Sequence, residues 1–164
     1  MPVEGHYSTI ARDYEYKRHG TLSLLAGIDL ISGRIYYKVF ERPKSCDFIE
    51  YLKELESIFP EEKIRIILDN HTIHTSSETR KYLETVPDKF EFVFTPKHAS
   101  WLNIIECFFS KMVRNVLRGI RVDSLNELEE RISQYIDKTN EEPVLFTWRY
   151  KMGERYEMPG GIII

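Results

Sequence analysis

Alternation opens the readable part of the chain. Between Thr21 and Leu30, Leu22, Leu24, Ala26, Ile28 and Leu30 fall on one face and Ser23, Gly27 and Asp29 on the other, the period of two that marks a half-buried strand. The turn Ile31-Ser32-Gly33 leads into Arg34 to Glu41, rich in Tyr, Val and Phe, so the two segments predict an antiparallel hairpin. From Ser45, a residue able to cap a helix, the period lengthens. Phe48, Leu52, Leu55 and Phe59 recur at helical spacing until Pro60, with Asp47 and Glu50 near the positive end. Lys63 to Asp69 then forms a short, β-branched and nearly continuous apolar run, which suits a strand covered on both faces in the parallel part of a mixed sheet.

The second half repeats the alternation of strand and helix. A short helix is predicted from about Ser77 to Val86, stopped by Pro87, and a strand from Phe90 to Thr95. Ser100 opens a longer helix to about Arg118, in which Leu102, Ile105, Phe109, Met112, Val113 and Val116 make the buried stripe. Ser124 and Glu127 have the spacing of a capping box for a last helix carrying Leu125, Leu128, Ile132, Tyr135 and Ile136. The order β-β-α-β-α-β-α-α predicts an α/β domain with a mixed sheet flanked by helices. Met1 to Asp13 reads as a flexible arm and residues 151–164 as a loose tail, leaving 14–150 as the domain.

Composition narrows the class. At 164 residues, 42% apolar and 13% aromatic, the chain can close one core without disulfides or structural metal. Cys46 and Cys107 make no disulfide framework, which points to a reducing, cytosolic compartment. The sequence has neither a membrane-spanning apolar run nor the order of a signal peptide. The net charge of −3 conceals a sectored distribution. Thr95 to Arg121 holds Lys97, Lys111, Arg114, Arg118 and Arg121 against Glu106 alone, whereas seven acids crowd Val122 to Glu142. Such sectoring presents a local basic face to phosphates inside an acidic protein.

Ligands and catalytic groups of open α/β sheets collect beyond the carboxyl ends of parallel strands. Here that place is taken by Asp69, followed by Asn70-His71-Thr72-Ile73-His74; the bland alternative is a turn-capping aspartate. Glu106 falls on the margin of the buried stripe of its helix, where it needs a cationic partner such as Lys97 or Arg114, or a metal ion. Two carboxylates at a strand end suit Mg²⁺ together with water and phosphate oxygens, and two such ions can clamp a phosphodiester. Lys111, Arg114 and Arg118, with Lys97, His98 and Arg121, are the candidates for holding flanking DNA phosphates. His71 is the candidate for orienting Asp69 or touching a phosphate. His71, His74 and His98 show no fourth ligand at zinc spacing, and Cys107, among apolar neighbours, reads as a packed thiol.

The run from Ile67 to His74, and the block Phe94-Thr95-Pro96-Lys97-His98-Ala99-Ser100-Trp101-Leu102-Asn103-Ile104-Ile105-Glu106-Cys107-Phe108-Phe109-Ser110, resemble the second and third acid motifs of mariner-like DDE transposases of insertion sequences. Tyr16 to Thr21 and Phe146-Thr147-Trp148 resemble the same family, so the likeness runs from about Ala11 to Tyr150. The 36 residues between Asp69 and Glu106 are near the family's spacing. The resemblance implies an RNase H-like fold using Mg²⁺ or Mn²⁺, and hydrolysis and strand transfer at transposon DNA ends. It also implies a homodimer, and Asp69 and Glu106 as metal ligands.

One departure accompanies the likeness. The family triad has a first aspartate on a strand preceding the hairpin, and RNase H-like sheets have three antiparallel strands before the first helix, where this chain offers two. The expectation is therefore a sheet lacking its first strand, a site lacking its first acid, and dimers joined through the exposed edge or the Met1 to Asp13 arm. Asp29 and Asp13 are the candidates for a substitute acid, with Asp29 favoured as a turn residue. A non-catalytic DNA- or partner-binding remnant and a host nuclease of the same fold are the alternative functions.

Overall fold

A computed structural model describes residues 20–42, 44–95, 102–145 and 161–164. Strands β1 (Ser23–Asp29) and β2 (Ile35–Phe40) form the expected hairpin, registered from Ser23 opposite Phe40 to Ile28 opposite Ile35. Its turn is closed by Gly33, which donates to the Asp29 carbonyl at 2.8 Å. Gly33 has φ +73°, and a Cβ there would meet the Val144 carbonyl oxygen at 2.3 Å, so both conformation and space demand glycine.

Helix α1 (Ser45–Ile58) starts one residue earlier than a Ser45 cap implies. Lys44 is the cap, because Asp47 reaches back to accept its backbone N–H at 2.7 Å. Strand β3 (Ile64–Leu68) precedes helix α2 (Ser77–Thr85), capped by Ser76, whose hydroxyl accepts from Thr79 N. Strand β4 (Phe90–Phe94) follows, parallel to β3. Helix α4 (Leu125–Glu141) begins at Ser124 as its capping residues predict: Ser124 Oγ accepts from Glu127 N, and Glu127 accepts from Asp123 N.

The long third helix is not uniform. α3 (Leu102–Met112) passes into a π-helical turn at Val113–Leu117, closed by Arg118 N donating to Val113 O at 2.7 Å. One extra residue per turn rotates the following side chains. Val113, expected in the stripe, is exposed. The buried positions are Ile104, Ile105, Phe108 and Met112, with Phe109, Val116 and Leu117 packed beside them.

Among the described residues two strands precede α1, as expected, and the place beside β1 is filled from the other end of the chain. Ile162 and Ile163, in the segment read as a loose tail, form β5 at the centre of a five-stranded sheet of order β2-β1-β5-β3-β4. β5 is antiparallel to β1, pairing Ile163 with Ile28 and Ile162 with Asp29, and parallel to β3, pairing Ile162 with Ile66 and Ile163 with Ile67. The neighbour of β1 is thus not left open along its whole length, and the edge invoked for dimer formation is partly covered; the free edges are β2 and β4.

Alternate residues of the sheet enter two cores. Ile64, Ile66, Leu68 and Ile162 pack with Phe48, Tyr51, Leu52 and Leu55 of α1. Ala26, Ile28, Ile35, Ile67 and Ile163 pack with α3 and with Ile132 and Ile136 of α4. The result is three layers, with the sheet buried on both faces at its centre.

Candidate functional site

Asp69 is the first residue past β3, and its side chain is 53% exposed. Its carboxylate accepts the backbone N–H of His71 at 3.2 Å, an Asx turn that bends the chain away from the strand. His71 in turn uses its ring locally, Nδ1 accepting from Ile73 N at 3.3 Å. The residue that reaches Asp69 is His74. Its Nδ1 lies 3.1 Å from the Asp69 carbonyl and 3.4 Å from Oδ1. A carbonyl oxygen can only accept, so His74 Nδ1 carries the hydrogen. The structure therefore gives His74 the side-chain contact assigned to His71 from sequence.

The turn is anchored from both sides. His74 is 11% exposed, with its ring 4.7 Å from that of Phe48 on α1. Burial pushes its pKa below the ordinary value; the Asp69 carbonyl and carboxylate oppose that, and His71 adds to it. Fully buried Thr79, in the first turn of α2, donates through Oγ1 to the Ile73 carbonyl at 2.9 Å. At the neighbouring strand, Thr95 N donates to the Leu68 carbonyl at 2.9 Å. Asp69 thus projects into solvent from a rigid base.

Glu106 lies on α3, directly after the buried pair Ile104 and Ile105. It is exposed rather than marginal to the stripe, so no desolvation demands a partner for it. α3 packs on β5, whose Ile163 is level with Ile67, two residues before Asp69. Cys107, expected to be packed, is exposed and free, as is Cys46.

Asp29 is placed elsewhere. The register through β5 sets it level with Ile66, three residues short of Asp69, or roughly 10 Å along the strand direction. Its carboxylate is engaged by Ile31 N at 3.0 Å and by Ser32 Oγ at 2.6 Å. In this sheet it is a turn residue, its carboxylate held within its own hairpin. Asp13 lies outside the described residues, as do Lys97 and His98. Lys111, Arg114, Arg118 and Arg121 are exposed, with Arg114 Nε donating to the Ser110 carbonyl at 3.3 Å.

Among the described residues no group of three or more His, Cys, Asp or Glu side chains is placed to hold a metal ion. A hard cation such as Mg²⁺ needs only one or two protein carboxylates, with water and substrate oxygens completing its shell. The exposed, oxygen-only Asp69 fits that donor chemistry as a single ligand.

A five-stranded mixed sheet between helices, with an acid at the carboxyl end of a parallel strand, is the RNase H-like arrangement. Solved structures of that fold are similar. The catalytic core domain of HTLV-2 integrase, determined in complex with magnesium in a dimeric form, is 19% identical with TM-score 0.55, covering 80% of this chain and 81% of that one. The catalytic core domain of BIV integrase is 10% identical with TM-score 0.54, covering 73% and 75%.

The family model described as DDE superfamily endonuclease matches residues 7–129, and the chain belongs to that family. A 39 kDa protein of insertion element IS630 from Shigella sonnei is 28% identical over 100 residues, covering 60% of this chain and 29% of the relative. The chain thus aligns with less than a third of that relative's length. Its fold is that of the retroviral integrase catalytic core domains. No helix among the described residues is long and apolar enough to cross a membrane.

Proposed function

We propose that this chain is the catalytic domain of an insertion-sequence transposase, contributing Asp69 and Glu106 to a divalent-metal site for phosphodiester hydrolysis and strand transfer at DNA ends. The observation that carries the reading is Asp69 itself. It is an exposed carboxylate at the carboxyl end of a parallel strand, braced by His71 and His74, within a DDE family match. When bound, Mg²⁺ or Mn²⁺ supplies Lewis acidity for the attacking and leaving oxygens. Asp69 and Glu106 hold it, and the exposed Lys111, Arg114, Arg118 and Arg121, with Lys97 and His98, bind the flanking phosphates. The protein works in the cytoplasm, as a dimer on paired ends.

Mn²⁺ titration followed by NMR tests the pairing of the two acids. The amides of His71 and Cys107 broaden together, and both effects vanish in Asp69→Ala. Broadening at one site alone overturns the proposal. Incubation with supercoiled plasmid and Mn²⁺, with Asp69→Ala as control, separates a cutting domain from the second reading, a non-catalytic DNA-binding remnant.

A further inference from the structure

Asp69 is steadied by contacts from three directions. Just before it, Thr95 N at the end of β4 donates to the Leu68 carbonyl at 2.9 Å. On its carboxylate, His71 N donates to Oδ1 at 3.2 Å. On its own carbonyl, His74 Nδ1 donates at 3.1 Å, and the same nitrogen lies 3.4 Å from Oδ1. The first two donors are main-chain groups, whereas the third belongs to a side chain. Both nitrogens that approach the carboxylate take the Oδ1 side. Among the described residues this leaves Oδ2 as the oxygen of a half-exposed acid that is open to a cation.

His74 is itself fixed before it meets Asp69. Its N–H donates to the His71 carbonyl at 3.0 Å. The residue before it, Ile73, is tied at both ends: its N–H donates to His71 Nδ1 at 3.3 Å, and its carbonyl accepts from the buried Thr79 hydroxyl at 2.9 Å. The His74 side chain is 11% exposed and its ring meets that of Phe48 at 4.7 Å, tilted by 47°. The imidazole therefore makes two contacts of different kinds. Its ring adds apolar area to the core beneath α1, and its N–H restrains the acid at the strand end. A donor that orients a metal-binding carboxylate in advance moves the cost of ordering it from ion binding to folding, which raises affinity for the ion.

We infer that His74 is a positioning residue for Asp69: its Nδ1–H, rather than its packing on Phe48, holds the carboxylate so that Oδ2 takes the divalent cation. The inference rests on Asp69 being a metal ligand. It does not depend on titration of the imidazole, because Nδ1 carries a hydrogen both in the neutral tautomer that donates to the Asp69 carbonyl and in the imidazolium.

Two substitutions in the full chain separate the two contacts. His74→Phe keeps an aromatic ring over Phe48 and loses the donor, whereas His74→Asn keeps an N–H at the place of Nδ1 and loses the ring. Mn²⁺ alone is the probe, its affinity read from the electron paramagnetic resonance signal of the free ion, with Asp69→Ala as the background and urea midpoints measured on every variant. His74→Phe is expected to weaken Mn²⁺ binding by about tenfold or more, the usual effect of removing a group that orients a metal ligand, while its urea midpoint stays close to the wild type. His74→Asn is expected to bind Mn²⁺ within a few-fold of the wild type with a lowered midpoint. Unchanged Mn²⁺ affinity in His74→Phe, or a loss in His74→Asn as large as in His74→Phe, overturns the positioning role and leaves the metal site standing. Wild-type binding that is absent, or that Asp69→Ala does not weaken, removes the metal site and the positioning role together.

Discussion

His74 sets its Nδ1 3.1 Å from the main-chain oxygen of Asp69 and rests its ring on Phe48 at 4.7 Å, which ties the acid at the strand end to the core beneath α1. Removing the imidazole takes away both the hydrogen bond and the packing. His74→Ala is expected to lower stability by about 1–3 kcal/mol, read by urea denaturation. A change below about 0.5 kcal/mol, the range of ordinary surface substitutions, would mean that the ring holds nothing.

Asn140 supplies a second long-range tie. Its Oδ1 accepts from Ile35 N at 2.8 Å and its Nδ2 donates to Ile35 O at 2.9 Å, joining α4 to the start of β2. Asn140→Leu leaves both main-chain groups of a buried residue without that partner, and should cost about 2–4 kcal/mol at the penalty for unmet polar groups. Asn140→Asp keeps the acceptor and loses the donor, and should fall between the two. Thermal unfolding of the three proteins ranks them.

Ile66 and Ile163 lie in the same sheet and are both wholly buried, yet truncation should affect them differently. Ile66→Ala opens a cavity within β3 and is expected to cost about 2–5 kcal/mol. Ile163→Ala can cost no more than the free energy that docks the short β5, because past that point the tail simply leaves. Equal losses in urea titrations would show β5 to be held as firmly as β3.

Glu127 gives α4 a pH dependence. Its carboxylate accepts from Asp123 N and from Arg131 at 2.7 Å, and these contacts, the backbone N–H first, hold its pKa below the ordinary 4.5. A carboxylate with a lowered folded pKa adds stability that is present in full above the unfolded value and is lost as pH falls through the folded one. Stability should therefore drop below pH 4.5, and Glu127→Gln should flatten that part of the curve. An unchanged slope would show that the cap does not titrate.

Local patterns carried most of the architecture. The alternation of Leu22 to Leu30, the apolar run before Asp69 and the Ser124–Glu127 spacing each encode an element within about ten residues, and each element is where those patterns put it. β5 was illegible because two isoleucines after paired glycines have no period, and their partners Ile28 and Ile67 are remote in sequence. The π-helical turn lacks a local signature too, and through it Val113 left the stripe. At the site, Asp69 was readable as the polar end of an apolar strand. The exchange of His74 for His71 was not, because the Asx turn alone decides which ring swings back.

The central pairing of Ile28 with Ile163 spans 135 residues. Contacts so distant along the chain are the slowest to find one another. Synthesis runs from the amino end, so the hairpin and β3 must wait with a gap between them until every other described element has emerged. A newborn chain therefore spends its time on the ribosome with this sheet divided into two halves, and its final closure is a late event that a chaperone or a neighbouring nascent chain can intercept.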